Sequence, residues 1–198
     1  MGDLRREGLI REWGMSQVSA AQLAQAHAIT PVAAVQNLYN MMERDCEADI
    51  FPLALREGIA AIAFSPVGSG FLSGAITSAA QFEAVDDVRV FVPQLSAQNI
   101  EANAPLLALI ANFAGLKGAT NAQIALAWML HKYPNVVPIP GSKNLERILE
   151  NLRVSEVCFT EAEFSELEKA LSAIKIHGHR GHVEGGKAGT FGDKWKKG

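Results

Sequence analysis

Cysteine, a basic surplus and long apolar runs are all scarce in this sequence, and each scarcity removes a class of answer. The two cysteines, Cys46 and Cys158, lie far apart and form no metal-spaced pair. That excludes a disulfide-stapled scaffold and fits a reducing cytoplasm. A formal net charge of −3 lacks the excess of Lys and Arg that a general nucleic-acid binder carries. No apolar run approaches the roughly 18 residues that suggest a membrane span. The opening "MGDLRREGLIREWG" is charged where a signal peptide is apolar. The expectation is a cytoplasmic chain with neither nucleic acid nor membrane as a partner. Histidine is also sparse: His177, His179 and His182 alternate in "HGHRGH", but such tails are usually solvated, and no metal site is expected.

What is present is ample core material. With 48% hydrophobic residues over 198 positions, the chain is one globular domain or most of one. Residues 3–9 read as the end of a helix stopped by Gly8, and "IREWGM" as a short strand. "SAAQLAQAHAI" has helical spacing, with Ser19 as N-cap. "PVAAVQNLYN" is a second strand, "EADIFPLALREG" a helix ended by Gly58, and "IAAIAFSPVGSG" a third strand running into a glycine-rich loop. Residues 70–98 show no strong periodicity and read as a long loop, often functional in a compact domain. Two helices follow, "IEANAPLLALIANFAG" and "TNAQIALAWMLHKY", the second capped by Thr120. "NVVPIPG" is a fourth strand and "NLERILENL" its helix. "TEAEFSELEKALSAI" is a last helix, with Thr160 and Glu163 as a capping box. From His177 the Gly- and Lys-rich chain reads as a flexible tail, giving segments 1–176 and 177–198.

The order is strand then helix, four times, with insertions. Strands this uniformly apolar indicate a parallel sheet covered by helices. Polar, glycine-containing turns follow all four strands, the end at which parallel α/β folds bind ligands. Gly141, Ser142 and Lys143 lie between strand four and its helix, with Arg147 one turn on; backbone N–H groups there suit an anion. An ordinary strand-to-helix turn would look the same. "FSPVGSGFLSG" brings glycines that let backbone approach a ligand closely, or is simply a flexible loop. Ser16, Gln17 and Gln36 end strands one and two and are singly unremarkable turn residues.

Together these pieces are more telling. "EGLIREWGMSQVSAAQL", "VAAVQNLYN", "EGIAAIAFSPVGSGFLSG", "AQIALAWML" and "VPIPGSKNLERILEN" occur in this order, and the chain resembles the C-terminal half of an aldo-keto reductase from about residue 3 to about residue 176. The resemblance implies an α/β fold of parallel strand–helix repeats, the last four βα units of a (β/α)8 TIM barrel that binds NADP(H). It implies that Ser16 and Gln36 hydrogen-bond the nicotinamide carboxamide, with Gln17 beside them where the family usually has Asn. Phe64 takes the place of the stacking aromatic residue, and stacking needs the ring rather than a hydroxyl. Ser65, Val67 and Ser69 are implied to line the pyrophosphate. Gly141, Ser142 and Arg147 are implied to receive the 2′-phosphate, and Glu150 and Asn151 to face the adenine.

The same resemblance implies what the chain does not contain. The family's catalytic Asp, Tyr, Lys and His come from the first four strand–helix units, and neither Tyr39 nor Tyr133 matches them. No catalytic residue is therefore assigned. The expected function is the NADPH-binding half of an NADPH-dependent carbonyl oxidoreductase, inactive alone. Its expected partner is a second copy that closes the barrel, or a separate chain carrying the N-terminal half. The alternative is a non-catalytic, self-associating half-barrel that serves as a binding or scaffold module. An open doubly wound nucleotide binder is the weaker third reading, since it expects a Gly-rich turn where this chain has "GMSQVS". The exposed inner face of the half-barrel is expected to present Val35, Ile62, Ala63, Val136 and Ile139.

Overall fold

The computed structural model describes residues 1–77, 89 and 92–180. It contains one parallel sheet in the order β1 (Gly14–Ser16), β2 (Ala34–Leu38), β3 (Ala60–Phe64), β4 (Val136–Pro138). Sequential strands are spatial neighbours and all pairs are parallel, so a helical crossover must separate each pair. The helices are α1 (Gly2–Arg6), α2 (Ala20–Ile29), α3 (Ile50–Arg56), α4 (Ala97–Ala102), α5 (Ala104–Lys117), α6 (Asn121–Lys132), α7 (Leu145–Leu152) and α8 (Glu161–Ala173). The fold is the expected α/β one.

Local chemistry explains the boundaries. Ser19 and Gln22 form a reciprocal capping box at α2, Thr120 and Gln123 exchange the same two bonds before α6, and Thr160 and Glu163 do so at α8. Pro52 is tolerated in α3 because it sits in the first turn, where its missing N–H has no helical acceptor. The segment expected as one helix over 100–115 is two, broken at Asn103, because Pro105 cannot donate to the carbonyl four residues back.

The chain divides into two compact units. One comprises residues Met1–Pro66 with Ala125–Cys158, the other Val67–Ile124 with residues from Phe159 onward. In the first unit the register fixes which strand residues share a face. Val35, Ala61 and Val136 form one row and are 0–4% exposed. Gln36, Ile62 and Val137 form the adjacent row on the opposite face, with Ser16 in register with Gln36. Val137 is 47% exposed there, and Ile139, two residues on, 44%. The expected inner face is thus corrected. Val35, Ala63 and Val136 belong to the covered side; Ile62 and Ile139 belong to the open one. Period-two alternation requires this split, but an all-apolar strand gives no sign of which set turns inward.

The first unit's core is aromatic. Tyr39 stacks on Trp128 at 5.3 Å and meets Phe51 edge-on at 4.6 Å. The Arg44 guanidinium and the Lys132 ammonium lie over the Trp128 ring. In the second unit α5 packs on α8, with Phe113 against Phe159 and Lys117 paired with Glu163 at 2.6 Å. His177–Arg180, the start of the expected tail, is also described there; the rest of that tail lies outside the described residues, as does most of residues 78–91.

Candidate functional site

The turns leaving the C-terminal ends of the strands carry the unusual backbone of this molecule. Gln17, Ser65 and Ser69 are the non-glycine residues with positive φ among the described residues, at 54°, 51° and 57°. Left-handed conformation is costly for residues with a Cβ, and persists where surrounding structure enforces it, often at ligand sites. All three are among the residues singled out from the sequence, and no sequence pattern pointed to their conformation.

At the β1 edge, Ser16 lies in register with Gln36, and the Gln17 N–H donates to the Gln36 carbonyl at 2.9 Å. These three residues are therefore brought together, with Ser16 and Gln17 exposed and Gln36 partly so. Phe64 ends β3 in register with Leu38 and is half-buried. The left-handed turn at Ser65 is held from below by Asn40, whose Nδ2 donates to the Ser65 carbonyl at 3.0 Å. Asn40 is 1% exposed, and its Oδ1 accepts from the Met42 N–H. It is a positioning residue that sequence reading passed over. Its signal was present, a polar residue two places after the strand in "QNLYN", but strand ends are commonly polar and nothing marked this one as buried.

The glycine-rich loop continues into the second unit. The Val67 carbonyl accepts from both Gly70 and Leu72, closing a tight turn in which Gly68, Ser69 and Gly70 are all left-handed. Two of these positions suit only glycine comfortably, which accounts for the composition of "VGSG".

At the β4 edge, Gly141 and Arg147 are exposed and Ser142 is half-buried. The start of α7 differs in detail from expectation. Asn144 is the N-cap, accepting the Arg147 N–H at 3.1 Å, while the Ser142 hydroxyl accepts the Asn144 N–H at 3.1 Å. One donor of the helix start is thus taken by the turn itself rather than kept for an anion. The Arg147 side chain, Glu150 and Asn151 lie on one face of α7, opposite Leu145, Ile148, Leu149 and Leu152.

The first unit therefore places amide and hydroxyl groups at one edge of the strand-end rim, a phenyl ring toward its middle and a guanidinium at the other edge. Three interstrand spacings of about 4.8 Å separate the edges, on the order of 14 Å. Along that rim the chain thus presents, in order, polar groups, an aromatic ring and a helix start that carries Arg147.

Two buried titratable groups lie elsewhere in the first unit. Tyr39 is fully buried and its hydroxyl donates to Glu47 at 2.8 Å. Burial first, and then the Glu47 charge, drive its pKa far above the ordinary phenol range. Burial pushes the Cys46 thiol up to about 12, with Asp45 and Asp49 adding to the effect. Among the described residues no cluster of His, Cys, Asp and Glu is arranged to hold a metal ion, and no helix is long and apolar enough to cross a membrane.

Comparison with known proteins places this architecture. A thermostable aldo-keto reductase solved in complex with the inhibitor epalrestat is 26% identical, with a TM-score of 0.64 over 86% of this chain and 52% of that one. The glycerol dehydrogenase from Gluconobacter oxydans superposes with a TM-score of 0.80 over 92% of this chain and 54% of that one, at 23% identity, a likeness of fold. The chain spans about half the length of these structures. The family model for the aldo/keto reductase family matches residues 1–172. With that match running from the first residue almost to the end of α8, the chain belongs to the aldo/keto reductase family.

Proposed function

We propose that this chain is the NADP(H)-holding half of a carbonyl oxidoreductase and is inactive on its own. The observation that carries the reading is the order of groups along the strand-end rim, from Ser16, Gln17 and Gln36 through Phe64 and Ser65 to Ser142 and Arg147. Ser16 and Gln36 supply hydrogen bonds for a carboxamide, and Phe64 supplies a ring face for stacking. Ser65, Val67 and Ser69 line the pyrophosphate, Ser65 and Ser69 with left-handed backbone. Gly141, Ser142 and Arg147 receive the 2′-phosphate, where a charge-assisted contact favours the phosphorylated cofactor, while Glu150 and Asn151 face the adenine. When bound, the cofactor supplies a hydride. The chain's own contribution is to hold and orient it, since among the described residues no titratable side chain is assigned to protonating a carbonyl oxygen at this rim.

The reading also needs a partner. β1 and β4 are both edges of the sheet, and unpaired strand edges recruit another strand. The open face is apolar at Ile62, Val137 and Ile139. Two copies related by a two-fold axis set β1 of each beside β4 of the other and close an eight-stranded barrel. A separate chain carrying four strand–helix units would serve the same edges. A non-catalytic, self-associating scaffold is the second reading, favoured by the same edges alone.

Fluorescence titration separates the two. The proposal expects NADPH to bind more tightly than NADH, with no aldehyde-dependent oxidation of NADPH by the pure chain. A chain that binds neither cofactor, yet elutes as a stable dimer by light scattering, is the scaffold. Turnover in a preparation free of host reductase would overturn the assignment of inactivity.

A further inference from the structure

The chain turns back on itself after α8, and the second unit grips it there through its backbone. The break between α4 and α5 at Pro105 places the Asn103 side chain inside, 0% exposed. It spends both halves of its amide on one distant residue. Its Oδ1 accepts the His177 N–H at 2.9 Å, and its Nδ2 donates to the His177 carbonyl at 2.9 Å. Two residues on, the His179 carbonyl accepts the Gln94 N–H at 3.3 Å. Between them Gly178 is left-handed, with φ +74°. A Cβ at that position would stand 2.7 Å from Asn99 Nδ2 and 3.0 Å from the backbone N and Cα of Gln94. Asn99 cannot readily yield, because its Nδ2 also donates to the Pro93 carbonyl at 2.8 Å.

These contacts have the grammar of peptide recognition. A carboxamide satisfies one residue's N–H and C=O together, a second backbone bond fixes direction, and a steric gate admits only glycine between them. All three bonds read main chain, so they recognise conformation and the central glycine rather than the imidazoles. With the segment in place Asn103 is fully buried and both halves of its amide are paired.

We propose that Pro93–Leu95, Asn99 and Asn103 form a cleft that binds a short peptide by its backbone and a central glycine. His177–Gly178–His179 of the same chain is its resident ligand, a strap that fixes the segment leading into α4. The proposal is independent of the cofactor reading, because none of its residues belongs to that site.

Amide hydrogen exchange on the full chain, followed by NMR, tests it. The His177 and Gln94 amides are expected to exchange at least tenfold more slowly than unprotected amides, at a rate independent of protein concentration. Gly178→Ala should accelerate both by tenfold or more while β2 and β3 keep their protection. Gly115→Ala, in α5 with open space around the added methyl, should change neither. A synthetic peptide of residues 174–181, added at millimolar concentration to the Gly178→Ala chain, should restore protection of Gln94; the same peptide with Ala at the glycine should not. Fast exchange at His177 in the wild type overturns the proposal even where the variant fails to fold. So do unchanged rates in Gly178→Ala, or a native peptide that restores nothing. Protection that rises with protein concentration assigns the occupant to a second copy and overturns the intramolecular strap.

Discussion

Helices α6 and α7 flank β4 in sequence and invert the usual relation between pattern and burial. In α6 the residues from Ile124 to Met129 are all buried, Trp128 completely, so there is no polar face along that stretch. In α7 the apolar side chains form a clean stripe, yet Leu145, Ile148, Leu149 and Leu152 are 39–68% exposed and no residue of the helix is buried. A helix that is apolar all round belongs in an interior, and α6 has one. A striped helix is built to lay its stripe on something, and here the stripe is left to water, beside a strand whose outer edge is also unpaired. Pattern reports what a helix is made to contact; burial reports what is at hand.

The strongest way to break that contrast is to truncate its buried member. Trp128→Ala removes a fully buried ring stacked on Tyr39 and covered by two cations. It should destabilise the chain by about 3–5 kcal/mol, read as a shift of the urea midpoint. A loss below about 1 kcal/mol would mean that the α6 core is not packed as described.

The next effect lies on the polar side of α7. Arg147→Ala should weaken NADPH binding by about 1.5–3 kcal/mol, the worth of a charge-assisted hydrogen bond, and leave NADH unchanged. Paired fluorescence titrations read the difference. Equal losses for both cofactors would separate Arg147 from the 2′-phosphate and leave α7 with a structural face alone.

A smaller effect, at α8, calibrates a half-buried salt bridge. Lys117 beside Glu163, followed by the N-cap bonds from Thr160, holds the Glu163 carboxyl down at about 2 against an ordinary 4.5. Because the folded value is the depressed one, its contribution to stability is complete above pH 4.5 and is lost as pH falls toward 2. Lys117→Met should reduce the loss of stability between pH 5 and pH 2.5, compared by urea titration at the two values. An identical loss in both proteins would show that the pair is silent.

The smallest effect completes the contrast. Leu149→Ala, in the exposed stripe, should change the stability of the dilute chain by no more than about 0.5 kcal/mol. At concentrations where light scattering reports a dimer, the same substitution should raise the dissociation constant. A variant that is neutral under both conditions would show that the exposed stripe takes no part in self-association.

The expected elements and their caps were largely legible. Ser19, Thr120 and Thr160 announce helix starts because capping is a local exchange of two hydrogen bonds within four residues. The parallel sheet followed from the alternation of strand and helix, because a parallel pair can be joined only by a crossover, while the sequential order of its strands followed from the resemblance to a barrel. The candidate site residues Ser16, Gln17, Gln36 and Phe64 came from the resemblance to the family, since singly the polar ones read as ordinary turn residues. Asn144 as the cap of α7 was missed because Ser142, two residues earlier, offers the same chemistry. Asn40 was missed because its partner, the Ser65 carbonyl, is twenty-five residues away.

The sequence by itself determined the class of fold, the positions of most elements and the residues available at the strand ends, because these depend on periodicity and on bonds between near neighbours. Only the tertiary structure decided which face of each apolar strand is covered, since Val35 and Ile62 look alike until register assigns one to the core and the other to the open side. It alone decided that Gln17, Ser65 and Ser69 are left-handed; Gln17 and Ser65 are bonded there to Gln36 and Asn40, residues distant along the chain. It alone showed Asn103 closing on His177, a pairing between residues that nothing relates along the chain.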